Sequence, residues 1–96
     1  MSPRNKIKLN HLRKRLDIID NQLLKILKKR TEIVKKVLSL KTYKNEIIDK
    51  KRISVVLKKI RKESLKKNID PKITLRIWKN MIWSYIGFEK RNFKKK

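Results

Sequence analysis

Neither cysteine nor a long apolar run occurs in this 96-residue chain, which contains one glycine, one histidine and two prolines. Without cysteine, the chain can form neither a disulfide framework nor a thiolate metal site. No apolar run approaches the roughly 20 residues that span a membrane, and the N-terminus lacks an apolar signal core. The scarcity of glycine and proline favours helices joined by few turns. We therefore expect one all-α domain in the cytoplasm, with no membrane partner.

Acidic residues are also scarce, since 8 Asp and Glu stand against 31 Lys and Arg and the net charge is +23. Such a charge is typical of nucleic-acid-binding proteins. The cations, however, lie along every segment instead of forming one stripe. We therefore interpret most of them as a solvated surface and expect no nucleic-acid partner. Lysine is much commoner than arginine here, so a retained arginine indicates planar, bidentate contact with a carboxylate or phosphate.

A seven-residue apolar repeat runs through the first half of the chain and includes one charged position. Its two sets are Leu9, Leu16, Leu23, Arg30, Val37 and Leu12, Ile19, Ile26, Ile33, Leu40. All of these positions except Arg30 are aliphatic. An unpaired charge that faces a helix–helix seam is costly, so Arg30 needs a partner or a ligand. The alternative is that Arg30 only fixes the register of the seam.

This repeat predicts a first helix from about Ile7 to about Tyr43. About 35 residues at 1.5 Å each make a helix of roughly 50 Å, whereas a compact globule of this size is about 30 Å across. Two shorter helices cannot cover such a helix in a monomer. We therefore expect an intertwined helical homodimer of a single domain, 1–96, in which about 1–6 and 93–96 are disordered.

Two further helices follow a short loop at Lys44–Ile48. Asp49 is the expected N-cap of a helix that runs to about Lys67, and Asn68 is expected to end it. Asp70 and Pro71 predict the start of a third helix, with Asp as N-cap and Pro in the first turn. The positions expected to be buried are Ile53, Val56, Leu57, Ile60, Ser64 and Leu65 in the second helix and Ile73, Ile77, Trp78, Met81, Ile82, Tyr85 and Phe88 in the third.

Several charged residues are candidates for a ligand site. Lys41 lies on nearly the same helix face as Arg30 and about 16 Å further along, so both cations can reach one small anion. Arg13 lies about 25 Å from Arg30 on another face and can reach that site only from the partner of a crossed dimer. Arg52 falls in a first helical turn, where the helix dipole disfavours a cation unless an anion is near. Glu89 lies on an apolar face, so its carboxylate either pairs with a cation or keeps its proton.

Each candidate also has a purely structural explanation. Arg13 and Arg52 could be ordinary surface residues, Glu89 could form a salt bridge, and we expect His11 to be an ordinary surface residue. The chain has no Ser-His-Asp set, no carboxylate cluster and no glycine-rich phosphate loop, so we expect neither a metal nor a cofactor. An enzyme built from these residues would act through positioning and fixed positive charge.

The chain resembles the all-helical chorismate mutase family. The segment LRKRLDIIDNQLLKILKKRTEIVKKVLSLK is similar to that family's first helix, including Arg13, Arg30 and a lysine eleven residues after Arg30. The similarity continues at Asp49-x-x-Arg52 and in NIDPKITLRIWKNMIWSYIGFE, so it covers about 9–92. It implies an intertwined homodimer with two active sites that rearrange chorismate to prephenate, the branch step of the shikimate pathway toward Phe and Tyr. It leaves open another shikimate-pathway enzyme as a partner.

The resemblance also implies roles for individual residues. Arg30, Lys41 and Arg52 would lie in the pocket of one subunit, and Arg13 would enter it from the other. Arg13 and Arg30 would each bind one substrate carboxylate, while Lys41 would hydrogen-bond a carboxylate and the ether oxygen. The remaining members of the pocket would be Asp49 near the ring hydroxyl, Tyr85 at a position of a small hydroxyl residue, and Glu89 at the ether oxygen.

Two positions depart from the pattern of many family members. Ile53 replaces a glutamate that contacts the ring hydroxyl, and Glu89 replaces a glutamine, so its carboxyl must be protonated to donate to the ether oxygen. An apolar residue after Arg52 and the aromatic pair Trp83-x-Tyr85 are also similar to the isochorismate-pyruvate lyase branch of the same fold. That lyase is the alternative enzyme. A basic binding module and an inactive regulatory dimer are the non-enzymatic alternatives.

Overall fold

The computed structural model describes residues 1–94 and confirms the all-α class. It has three α-helices and no strand within that range: α1 is Pro3–Leu40, α2 is Lys50–Lys66 and α3 is Pro71–Asn92. A short 3-10 helix, Lys44–Glu46, lies within the predicted loop. No helix in residues 1–94 is long and apolar enough to span a membrane. Lys95 and Lys96, which belong to the tail predicted to be disordered, lie outside the described residues.

Helix α1 begins earlier and ends earlier than predicted. Ser2 Oγ accepts a hydrogen bond from Asn5 N at 3.2 Å, and Pro3 fits the first helical position. Residues 3–6, predicted to be disordered, therefore form the first turn. At the other end Leu40 is the last helical residue, and Lys41 N donates to Leu38 O at 3.1 Å. Lys41 thus lies directly after α1 and not inside it.

The ends of α2 and α3 follow the predicted capping chemistry. Asp49 Oδ1 accepts from Arg52 N at 3.0 Å, and Asp70 Oδ1 accepts from Lys72 N at 2.9 Å. Asn68 adopts a left-handed φ of 55°, which ends α2 where the sequence predicted. These short polar motifs fix the start of both helices, because they satisfy backbone N–H groups that have no partner within the helix.

Helices α2 and α3 pack on one another, and a pair of hydroxyl groups lies between them. Ser64 is buried, its Oγ donates to Ile60 O at 2.6 Å, and it lies 2.6 Å from Thr74 Oγ1. The buried hydroxyl is therefore fully satisfied, as burial of a polar group requires.

The chain divides into two compact units, residues 1–33 and 34–96. Within the described part of the second unit, the buried apolar residues are Leu38, Ile47 and Ile86. Phe93, which belongs to the tail predicted to be disordered, is half-buried and packs against these three. A core of this size is too small to stabilise a domain of this length on its own.

Residues 1–33 form one helical stretch whose large apolar side chains are mostly exposed. The exposed set is Ile7, Leu12, Leu16, Ile18, Ile19, Leu23, Leu24, Ile26 and Ile33. In the second unit, Leu65, Ile73 and Ile77 are also 49–57% exposed, so the prediction that they are buried is wrong for the single chain. The apolar pattern predicted faces that avoid water, but these side chains are exposed in the part of the single chain that the structure describes.

The only glycine of the chain, Gly87, lies inside α3 and provides a test of stability. A methyl group at this position would lie 3.2 Å from a guanidinium nitrogen of Arg91, which is the flexible end of a side chain and can move away. Because glycine in a helix interior is less favourable than alanine by about 1 kcal/mol, Gly87→Ala is expected to stabilise the protein by up to about that amount. Urea unfolding at one protein concentration measures the difference, and a destabilised variant would show that the position needs glycine.

Candidate active site

An ion pair between Lys41 and Glu89 is the centre of the candidate site. Lys41 Nζ lies 3.1 Å from Glu89 Oε1, and the two side chains are only 17% and 8% exposed. The end of α1 positions the lysine, and the last turns of α3 position the glutamate. Burial of both groups strengthens their attraction, and each side chain holds the other in place.

Such a pair is weak evidence for stability, because removing two charges from water offsets much of their attraction. Two apolar side chains of the same volume would stabilise the fold equally well. An ammonium keeps three donors, so Lys41 can bind a second acceptor while it contacts Glu89. The arrangement can therefore bind an anion or an ether oxygen.

A polar cleft of about 550 Å³ opens beside Lys41. Asp49, the cap of α2, shares its wall. The other lining residues are Glu46, Ile48, Lys50 and Lys51. The cleft is lined by three ammonium groups and two carboxylates, and its volume suits a small-molecule ligand. The structure thus brings together Lys41, Glu89 and Asp49 from the predicted set.

The remaining predicted residues of α2 and α3 lie close to these in the sequence. Arg52 is exposed in the first turn of α2, and its backbone N–H contacts Asp49. Tyr85 is half-buried one turn before Glu89 on α3. Ile53 is half-buried and packs against the core of Leu38, Ile47 and Ile86, so its apolar side chain contributes to the fold.

Arg13 and Arg30 lie in residues 1–33, the other unit of the chain. Arg13 is exposed and Arg30 is half-buried. Their roles in the site stay predictions. No group of three or more His, Asp or Glu side chains that could hold a metal ion occurs within the described residues.

The sequence reasoning identified both members of the ion pair but not their direct contact. It also missed Glu46, Lys50 and Lys51, which flank the Asp49 cap and line the cleft. The two lysines could have been predicted, because they directly follow the Asp49 cap in the sequence and residues next to a helix cap lie on the same surface as the cap. No comparable feature of the sequence marks Glu46.

Comparison with known proteins adds one match. The family model described as chorismate mutase type II matches residues 12–90, which include all seven predicted site residues. No curated protein and no solved structure matches the chain.

Proposed function

The chain belongs to the chorismate mutase type II family, and on that premise we propose that it rearranges chorismate to prephenate in a cationic pocket. The observation that carries the proposal is the buried contact of Lys41 with Glu89 beside a polar cleft. Within the family match, this contact supplies a fixed cation and an adjacent carboxyl group where the resemblance expects the ether oxygen.

The reaction is a pericyclic rearrangement, which needs no covalent intermediate and no proton transfer. Catalysis arises when the pocket holds a compact conformer of the substrate and stabilises negative charge on the ether oxygen as the bond breaks. Lys41 donates to that oxygen and to a carboxylate. Arg30 and the partner subunit's Arg13 bind the two carboxylates, and Arg52 adds positive charge. Asp49 lies near the ring hydroxyl, and Tyr85 bounds the pocket.

The proposal includes a homodimer in which two α1 helices run antiparallel. In that orientation the two copies of the repeat match, because each residue of one set lies level with, and opposite to, a residue of the other set on the partner helix. The level pairs are Leu9 with Leu40, Leu12 with Val37, Leu16 with Ile33, Ile19 with Arg30, and Leu23 with Ile26. This register would cover the exposed apolar side chains of the repeat on both copies, with the same contacts on each, as two-fold symmetry requires.

The same register accounts for the role of Arg13. It places Arg13 level with Lys36 of the partner subunit, six residues after Arg30 and five residues before Lys41. Arg13 would therefore enter between the two cations of the partner's pocket. Among the antiparallel registers that the repeat allows, this one pairs all ten of its positions. The repeat therefore supports the shared site without use of the family resemblance.

Cysteine crosslinking tests the register without interference, because the chain has no cysteine of its own. Leu12→Cys with Val37→Cys is expected to give covalent dimers under mild oxidation. The two positions are about 37 Å apart along one helix, so a disulfide within one chain is impossible. Gel electrophoresis without reductant measures the dimer.

Two controls separate the possible arrangements. Leu12→Cys alone should crosslink only if the helices are parallel. If it does not, crosslinking of Leu12→Cys with Ile33→Cys would indicate an antiparallel register shifted by about one turn. Efficient crosslinking of Leu12→Cys alone would refute the register, and so would crosslinking of the Leu12 and Ile33 pair with none for the Leu12 and Val37 pair.

Two substitutions test the role of Glu89. The ether oxygen only accepts hydrogen bonds, so a protonated Glu89 can donate to it and an ionised one cannot. Glu89→Gln keeps a donor in every case, so its kcat/KM is expected to equal or exceed that of the wild type, whereas Glu89→Ala removes the donor and should lose roughly 10²-fold or more. Initial rates of the three proteins at one pH measure the difference. If Glu89→Ala is as active as Glu89→Gln, Glu89 is not the donor.

The isochorismate-pyruvate lyase activity is the alternative, and the apolar residue Ile53 favours it. Trp83, the other feature that suggested the lyase, is 55% exposed, whereas Tyr85 is half-buried. Incubation of the purified protein with chorismate and with isochorismate distinguishes the two by product. Prephenate supports the mutase, and salicylate with pyruvate supports the lyase. No product from either substrate contradicts both and favours a binding or regulatory role.

A cytoplasmic location and a second shikimate-pathway enzyme as partner stay predictions. Size-exclusion chromatography of the protein with and without candidate pathway enzymes measures such an association.

A further inference from the structure

A second pocket, of about 320 Å³, opens between the end of α1 and the end of α3. Leu38, Phe88 and Phe93 supply most of its surface. The other lining residues are Lys35, Ser39, Asn92 and Lys94. The pocket shares no lining residue with the cleft beside Lys41. It is therefore a separate cavity, at the lower end of the size range of small-molecule sites.

The chemistry of the lining is amphipathic. Aromatic and aliphatic carbon forms the wall, two exposed lysines stand at the edge, and none of the lining residues is acidic. The two neutral polar side chains already donate hydrogen bonds to backbone carbonyl oxygens. Ser39 Oγ donates to Lys36 O at 2.6 Å, and Asn92 Nδ2 donates to Phe88 O at 2.8 Å. Charge attraction to the lysines is thus the main polar recognition that the pocket offers.

The apolar repeat of the proposed dimer does not use this pocket. The α1 residues that line it, Lys35, Leu38 and Ser39, lie outside the ten positions of the apolar repeat. A further copy of the chain is also a poor occupant, because two surfaces of a +23 protein repel each other at a lysine-edged cavity. The occupant should carry negative charge and a compact apolar body.

We propose that this pocket binds a small aromatic monocarboxylate. The ring packs on Phe88 and Phe93, where aromatic pairs gain more than their buried area alone provides. The carboxylate faces Lys94 at the edge of the pocket. The site is distinct from the proposed catalytic pocket, and its ligand is recognised whether or not the protein turns over chorismate.

Calorimetric titration with 3-phenylpropionate tests the proposal on the full chain. A dissociation constant of about 1 mM or lower is expected for a ligand of this size. The neutral analogue 3-phenylpropionamide tests the charge and should bind several-fold more weakly. Acetate has the carboxylate but no ring, so it tests the contribution of the apolar part of the ligand. It should show no measurable binding at the same concentrations.

Three variants locate the site. Ser39→Trp fills the pocket and should abolish binding, while circular dichroism stays unchanged because Ser39 is exposed. Lys94→Ala should weaken binding by about 2- to 5-fold, the size of one exposed ion pair. Lys36→Ala is the matched control, since Lys36 is an exposed neighbour on α1 that does not line the pocket. It should leave the affinity unchanged.

Three results would overturn the proposal. The first is the absence of binding by 3-phenylpropionate. The second is binding that survives Ser39→Trp in a folded protein. The third is equal affinity for acetate and 3-phenylpropionate, which would assign the anion to the basic surface in general.

Discussion

Replacing Arg13 or Arg30 by alanine is expected to abolish turnover, and mixing the two inactive proteins is expected to restore part of it. A buried, bidentate contact between guanidinium and carboxylate is worth roughly 2–5 kcal/mol, so each variant should lose about 30-fold to 5,000-fold in kcat/KM. In a mixed dimer one pocket keeps both arginines, from different subunits, and the other pocket lacks both. Random exchange of subunits should therefore recover about a quarter of the wild-type activity.

The control for this experiment uses two residues that the proposal places in the same subunit's pocket. Arg30→Ala mixed with Lys41→Ala leaves a defect in every pocket and should recover nothing. Arg30→Lys should also stay inactive, because a single ammonium cannot reproduce the bidentate contact. Native mass spectrometry identifies the mixed dimers. If these form and the Arg13 and Arg30 mixture still shows no activity, the two residues do not share a pocket.

A second large effect is expected at the centre of the apolar repeat. Leu23 is 52% exposed in the single chain, and the proposed register places it against Ile26 of the partner subunit. Leu23→Asp would bury two carboxylates per dimer and remove two aliphatic contacts, each costing roughly 3 kcal/mol or more. Because the core of one chain is small, we expect loss of the dimer together with loss of most helical structure.

Sedimentation velocity and circular dichroism at micromolar concentration measure this outcome. Lys28→Asp is the matched control, because it adds the same carboxylate at an exposed position outside the repeat. It should leave the dimer intact. A folded, helical monomer, for either the wild type or Leu23→Asp, would contradict the inference that α1 needs a partner helix.

Helix starts were predictable because they depend on chemistry within a few residues. Asp49 and Asp70 cap their helices as the sequence indicated. Ser2 and Pro3 form the same kind of polar residue–proline motif that marked α3, so the early start of α1 could also have been found. The end of α1 could not, since no glycine or proline directly follows Leu40 to mark it. Burial of Ile47 in the core accompanies the end of the helix there.

In the candidate site, too, the sequence predicted individual residues but not the contacts between residues that are distant in the sequence. Lys41 and Glu89 could be singled out by charge, spacing and resemblance. They lie 48 residues apart, and only the packed structure brings them to 3.1 Å. The exposure of Ile73 and Ile77 has a related cause. An apolar stripe predicts that a face is covered, but it does not tell whether the cover comes from the same chain or from another.

The contact between Lys41 and Glu89 has one further consequence for a protein that binds an anionic substrate. The Glu89 carboxylate is an internal competitor for the ammonium that the substrate would use. The substrate must break this contact in order to bind, so the free energy of the contact is subtracted from the free energy of binding. A contact worth about 1.4 kcal/mol would weaken the apparent affinity tenfold. The same competition discriminates against weak anions such as chloride, which a chain of charge +23 concentrates at its surface. A ligand with two carboxylates would gain contacts with several cations in exchange for the contact between Lys41 and Glu89, whereas a monovalent ion would not.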